Sequence, residues 1–433
     1  MLKGFKPYFF SITLLMSTAI SAQDIVAIYK QVLKSDPRLL VGSLGVEVTA
    51  AQEQLAFGAL LPQVSVTSSW TENKRLAAGS SKASFSGERH TLSVRQPLLD
   101  MPKYYAWKGS EEVYEQEQLD QQESQSLIRL DTVERYFGLL DAQDQLALVR
   151  EEKTFSEKKV ERIRALYKKQ RVKITDLYEA EARLDAIVSS EIDAIQARDL
   201  AKEALSELTS HSVDYISPLS STNEFIHRLE NINEWSTQAV PENHSLMALR
   251  KGIEAAQSNM DQASAGHLPL VELQLTKQKS NIGFEYAVSP TTTTEVAGLN
   301  ITMPLFSGGR TTAVVYEAKQ RLELSRARYE LKKREVIKES RDTFLVVNAL
   351  ARRIEAANKA AESAKKAYQA TNRSFELGIA TVSQVLDAQK DFSDVKRTYQ
   401  YARYSYIVSK AELLQISGKL NDDFIYEISK WLH

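Results

Sequence analysis

The sequence predicts a mainly α-helical chain with a transmembrane β-barrel part, built as an internal tandem duplication and completed only when several copies assemble. Three observations carry this fold class. "LLPQVSV" (Leu60 to Val66) is echoed by "HLPLVEL" (His267 to Leu273), with Pro62 and Pro269 lying 207 residues apart. Beside each proline, short segments alternate between apolar and polar residues. Two further stretches of nearly seventy residues are dense in charge and free of internal proline.

The repeat is sought first because it governs every later element. An offset of 207 also aligns Val46-Glu47 with Ile253-Glu254, Ala56 with Ala263, Val64 with Val271, and "VRQPLL" (Val94 to Leu99) with "ITMPLF" (Ile301 to Phe306). One residue more aligns "ITDLYEAEA" (Ile174 to Ala182) with "VSQVLDAQK" (Val382 to Lys390). Each half therefore reads helix, strand, loop, strand, then two long helices.

Taken in order, the chain opens with "MLKGFKPYFFSITLLMSTAISAQ": Lys3 and Lys6, an apolar run, then small residues. This is the pattern of a secretory signal cut after Ala22 or Ser21, with an apolar run well short of the ~20 residues a spanning helix needs. The expected organisation is a signal peptide over 1–22 and a first repeat over 23–210 with its β-hairpin at about 62–99. A linker follows over 211–242, then a second repeat over 243–417 with its hairpin at about 269–306, and a tail over 418–433. In the strands, Val64, Val66 and Trp70 alternate with Gln63, Ser65, Thr67 and Ser69, and Val271, Leu273 and Leu275 with Glu272, Gln274 and Thr276. The second strands are expected over His90 to Gln96 and Ala297 to Met303. Period two with one apolar face means a half-buried strand. Residues 72–88 and 277–294, rich in Gly, Ser and Thr, read as exposed loops.

Long helices are expected from about Pro102 to Gln170 and Thr311 to Leu377, returning over about Ile174 to Leu208 and Thr381 to Leu414. Val347, Leu350, Ile354, Ala357, Ala361, Ala364 and Tyr368 are spaced alternately by 3 and 4, a coiled-coil seam. At ~1.5 Å per residue each long helix is a rod on the order of 100 Å, which needs neighbours to bury its apolar stripe. Four strands of barrel type cannot close, and hydrocarbon tolerates no open edge, so several chains must each supply four.

Composition narrows the function. With 55 basic and 56 acidic residues the chain is nearly neutral, and no global field points to nucleic acid. It has no cysteine, which excludes disulfides, thiolate metal sites, a cysteine nucleophile and an acylated N-terminal cysteine. The histidines are scattered; His211 with Asp214 lacks metal-ligand spacing. "SGGR" (Ser307 to Arg310) lacks the Lys-Ser/Thr ending of a phosphate loop and reads as a β-to-α joint. "KKQRVK" (Lys168 to Lys173) has no aromatic platform and reads as a solvated hairpin tip. No carboxylate pair is marked for acid–base work, so neither enzyme, cofactor nor metal is expected.

"LPQVSV", "LPLVEL", "MPLFSGGR", "FELGIATVSQVLDAQ" and the duplicated strand–helix plan resemble the TolC family of outer-membrane channel-tunnels over essentially the whole mature chain. The resemblance implies a homotrimer with a shared 12-stranded barrel in outer-membrane lipid and a periplasmic α-barrel of twelve helices. It implies docking to a periplasmic adaptor and an inner-membrane transporter, and export of protein or small molecules; the missing lipid-bearing cysteine leans toward the type I secretion branch. The competing reading is a soluble periplasmic coiled-coil adaptor, which leaves four amphipathic strands in two matched pairs unexplained. The same resemblance assigns Asp387 to an acidic ring at the periplasmic gate and Asp176 to an inter-helix tie. Gln384 stands where the family often has a second acidic residue, Phe375 where a tyrosine hydroxyl ties to Asp176, and Ala380 in place of a basic tie. Leu377, Gly378, Ile379, Gln170 and Val172 are the expected adaptor-docking tips, with Gln170 standing where the second half has Gly378.

Overall fold

The computed structural model describes residues 23–75, 83–213, 215–282 and 288–432. The proposed signal segment, Asp214 and His433 lie outside them. The chain opens with α1 (Ile25–Ser35) and α2 (Pro37–Gly58), separated where Asp36 accepts from the Arg38 N–H and Pro37 starts the second helix. After β1 (Gln63–Arg75) and β2 (Ala83–Leu99) come α3 (Met101–Lys168) and α4 (Ile174–Thr209). The second half repeats the order with α5 (Ile232–Glu242), α6 (His244–Ala265), β3 (Leu270–Ile282), β4 (Val288–Thr302), α7 (Arg310–Glu376) and α8 (Val382–Ile416); α9 (Asp422–Ser429) follows. Elements α5, α6 and β3 stand 207 residues after α1, α2 and β1, end for end. The equivalence of α1 and α5 carries the duplication back to Ile232, inside the segment expected to be linker.

The strands form one antiparallel sheet in the order β1-β2-β3-β4. Register places Val64, Val94, Leu275 and Ala297 in one row across all four strands, and Leu273 opposite Leu299. These side chains do not face a protein core: Val64, Val66 and Trp70 are 65%, 72% and 71% exposed. A row of apolar side chains on a bare sheet face is what a barrel presents to lipid.

The strands are longer than expected. They run 13, 17, 13 and 15 residues, so most of the two Ser/Thr-rich segments read as loops is paired strand. Ser and Thr satisfy a ladder as well as a turn, and Thr292, Thr293 and Thr294 pair in register with Ser280, Lys279 and Gln278. At ~3.3 Å per residue such strands exceed the ~30 Å hydrocarbon layer, so their outer ends need no apolar face.

No described helix is long and apolar enough to cross a membrane. Helices α3 and α7 span 68 and 67 residues, and α4 and α8 fold back along them. Helix α8 also packs on α3, which gives the lateral order α4-α3-α8-α7. The seam is in place: Val347, Ile354 and Ala357 are buried and Leu350, Ala361, Ala364 and Tyr368 half-buried. Midway along the rods, α1, α9, Val213 and residues 215–229 form a belt around the main apolar core, which includes Tyr136, Phe137, Phe225 and Tyr406. Gln23 bridges Ile216 and Leu219 bridges Leu432, which ties both ends of the described chain into this belt.

Candidate functional site

The two helical hairpins end side by side. Each long helix terminates in a left-handed residue, Gln170 (φ 58°) in the first half and Gly378 (φ 76°) in the second, 208 positions apart. Around them the Arg171 N–H donates to the Leu166 carbonyl (3.0 Å) and the Ile379 N–H to the Ser374 carbonyl (2.9 Å). With the shorter bonds Gln170 to Tyr167 and Gly378 to Phe375, both ends are Schellman motifs. A few residues on, α8 begins in a full capping box, and α4 begins with the half of one that runs from N3 back to the N-cap N–H, since the Lys173 ammonium cannot accept. Asp176 accepts from the Lys173 N–H at 3.1 Å, and Gln384 from the Thr381 N–H at 2.9 Å. Asp176 and Gln384 are thus equivalent residues doing equivalent local work.

Below the turns an apolar cluster joins all four helices: Val160 and Ile163 of α3, Leu177 and Ala180 of α4, Phe375 of α7, and Val382, Val385 and Leu386 of α8. Val172 packs at its edge, whereas Leu377 and Ile379 project with 65% and 78% exposure. Polar ties link the hairpins around this cluster. Ser383 donates to Glu179 (2.8 Å), Lys159 donates to the Asn372 side-chain oxygen (3.2 Å), and Arg162 approaches Glu376 (3.6 Å).

Phe375, which has no hydroxyl to offer Asp176, packs in this cluster. Its ring lies under the Lys159 ammonium, 3.9 Å from centroid to Nζ, with the Arg162 guanidinium 5.6 Å away. Burial, then the charge of Arg162, pushes the Lys159 pKa down to about 8, against a smaller pull from Glu376. Asp387 is exposed on α8, and Gln384 beside it is exposed as well.

Two residues escaped the sequence reading. Glu179 is the first-half counterpart of Asp387 at the offset of 208, a signal the repeat alignment contained. Lys159 carried no signal, because a lysine on a charged helix reads as solvated. Among the described residues no group of three or more His, Cys, Asp or Glu is placed to hold a metal. His211 Nδ1 lies 2.8 Å from the Thr209 carbonyl oxygen, a local contact at the end of α4.

An open amphipathic sheet continuous with two ~100 Å helices and their two ~50 Å returning partners defines a membrane channel subunit with a tunnel attached. The chain belongs to the outer membrane efflux protein family, whose model matches residues 28–211 and 235–419. It is similar to outer membrane protein TolC of Vibrio cholerae, 28% identical over 100% of this chain and 99% of that one. It is likewise similar to the alkaline protease secretion protein AprF of Pseudomonas aeruginosa, 26% identical over 91% of this chain and 84% of that one. The Campylobacter jejuni CmeC outer membrane channel shares the fold, with TM-score 0.83 and 18% identity over 94% of this chain and 90% of that one. The protein is an outer-membrane channel with a periplasmic tunnel.

Proposed function

We propose that three copies close a 12-stranded barrel and a twelve-helix tunnel, forming the exit duct of a tripartite export system. Substrate passes from an inner-membrane transporter, through a periplasmic adaptor docked at the hairpin ends, to the exterior. The open sheet carries this reading: β1 and β4 are unpaired edges with an apolar face, a state hydrocarbon does not tolerate in a single chain. The duct needs no chemistry of its own, and its work is to open and to select.

Selection and opening are assigned to the hairpin ends. Asp387, one per chain, forms the acidic ring of the periplasmic gate, and Asp176, Gln384 and Phe375 hold the surrounding helices. Leu377, Gly378 and Ile379, with Gln170 and Val172 on the other tip, receive the adaptor. The exposed Leu377 and Ile379 make the second tip the apolar one and the basic run 168–173 makes the first a charged one, which supports a larger share of docking energy at the second. Light scattering of the detergent-extracted protein, corrected for bound detergent, is expected to give three chains per particle. A monomer that stays soluble without detergent would revive the adaptor reading and end this one.

A further inference from the structure

Midway along the tunnel, the three helices α3, α8 and α7 have two unlike faces. The belt covers one. Tyr136 donates to the Ser217 carbonyl (2.9 Å), Tyr406 to the His227 carbonyl (2.8 Å), and Asn348 exchanges hydrogen bonds with the Leu229 backbone (2.9 and 3.1 Å). Three belts inside a twelve-helix tube would fill it, so the belt lies outside and the opposite face lines the lumen. On that opposite face is a hollow of about 480 Å³ shared by the three helices. Glu134 and Asp141 stand over it from α3, Leu350 and Arg353 from α7, and Tyr401 from α8, with Phe137 at its floor. Gly138 borders open space, since a Cβ built there meets no atom within 4 Å, so a larger side chain at this position would enter the hollow.

The hollow's charge is out of balance. Among the described residues neither Glu134 nor Asp141 lies within ion-pair distance of a basic group, and one Asp141 carboxylate oxygen is buried without a hydrogen-bond partner. Burial raises the carboxyl pKa of both. Asp131 and Glu412 add to the effect at Glu134 and Asp144 at Asp141, while Arg135 at the first, and the Gln145 side chain and then Arg397 at the second, oppose it only in part. Tyr404 spends its hydroxyl on Asp144. Two carboxylates share the hollow with one guanidinium, Arg353, and the net negative charge beside aromatic and aliphatic surface favours an ammonium or phosphonium carried on an apolar body. Seven residues separate the two carboxylates, roughly 10 Å along the helix, so a bulky monocation seated between them lies about 5 Å from each.

We propose that this hollow is a lumen-wall site for amphipathic organic cations, one per chain, a waypoint on the path through the duct. The proposal rests on the channel reading, which puts this face in the lumen.

The test uses the intact detergent-solubilised trimer and two probes of the same shape and opposite charge, tetraphenylphosphonium and tetraphenylborate, in equilibrium dialysis. Three phosphonium ions are expected per trimer. Their affinity should fall at least tenfold in the E134Q/D141N double variant, and binding should disappear when Gly138→Leu fills the hollow. Tetraphenylborate should bind the wild type no better than the double variant. Equal retention of tetraphenylphosphonium by all three proteins would overturn the site, as would tetraphenylborate binding that the Gly138→Leu change removes. A chain that fails to form the trimer refutes the channel reading instead, so the two failures are distinguishable.

Discussion

Among the described residues Lys159 has no carboxylate within ion-pair distance. Its side chain is 5% exposed, its ammonium rests on the Phe375 ring, and its hydrogen bond goes to a neutral amide oxygen. A cation–π contact and one neutral hydrogen bond do not replace the hydration shell, so the folded pKa falls to about 8. An unfolded lysine titrates near 10.4. Between those values the unfolded chain binds the extra proton, so stability rises with pH over that window, and the cost of the buried charge is fully present below pH 8. Arg162 on the same helix deepens the cost and Glu376 on α7 offsets part of it. Lys159→Met is therefore expected to make the hairpin ends more resistant to limited proteolysis at pH 7, with the gain shrinking as pH approaches 10.5. A gain of the same size at both ends of the range would show that packing, not the charge, sets the effect. Separation of α3 from α7 exposes this ammonium to water, so at neutral pH the residue favours movement at the end proposed to open.

Among the elements, the turns show how one backbone is written with two residue types. Gln170 and Gly378 occupy the same left-handed position of the same Schellman motif. A side chain there costs roughly 1–2 kcal/mol, against which glycine gives up about 0.5–1 kcal/mol of chain entropy. Gln170→Gly should slow hydrogen exchange at the Arg171 amide, which closes the first turn, and Gly378→Gln should speed it at Ile379. The net effect in each case is expected to be about 1 kcal/mol or less. Opposite signs at the two turns are the outcome that matters; the same sign at both would mean that the surroundings, not φ, decide.

The long elements were legible in the sequence because their signals are long. The seam from Val347 to Tyr368 recurs over three heptads, and helix ends fall within two residues of the expected ones, where charge density gives way to Gly378 or to a capping residue such as Thr381. Strand ends were not legible, because Ser and Thr serve loops and barrel strands alike, and pairing across the sheet decides between them. The placement of the candidate site residues at helix starts was legible by pattern, and their contacts were not. Asp176, Gln384 and Asp387 could be placed at helix starts, but Lys159 beneath Phe375 depends on how two hairpins meet, which no local spacing encodes.

At the scale of the whole molecule, incompleteness is the organising fact. One chain leaves two sheet edges unpaired, an apolar sheet face bare and one face of its helix wall uncovered. Threefold symmetry resolves all three and turns each exposed residue near the axis into a ring. In the proposed gate, one Asp387 per chain contributes three carboxylates to the periplasmic entrance. It lies exposed on α8 just past the apolar cluster that fixes the helix through Val385 and Leu386, so the cluster sets its position while its carboxylate stays free to meet ions. Glu179, its exposed counterpart in the first half, accepts a hydrogen bond from Ser383. A ring of one charge sign selects ions of the other. Asp387→Ala, in a trimer that still assembles, is therefore expected to lower the cation-over-anion permeability ratio in planar bilayers severalfold and to relieve block by multivalent cations. Asp176→Ala removes a helix cap worth about 1 kcal/mol, and so should loosen the hairpin end and raise conductance modestly without changing selectivity. Loss of selectivity in the Asp176 variant with none in the Asp387 variant would reverse the two roles, and unchanged selectivity and block in Asp387→Ala would remove the ring from the gate.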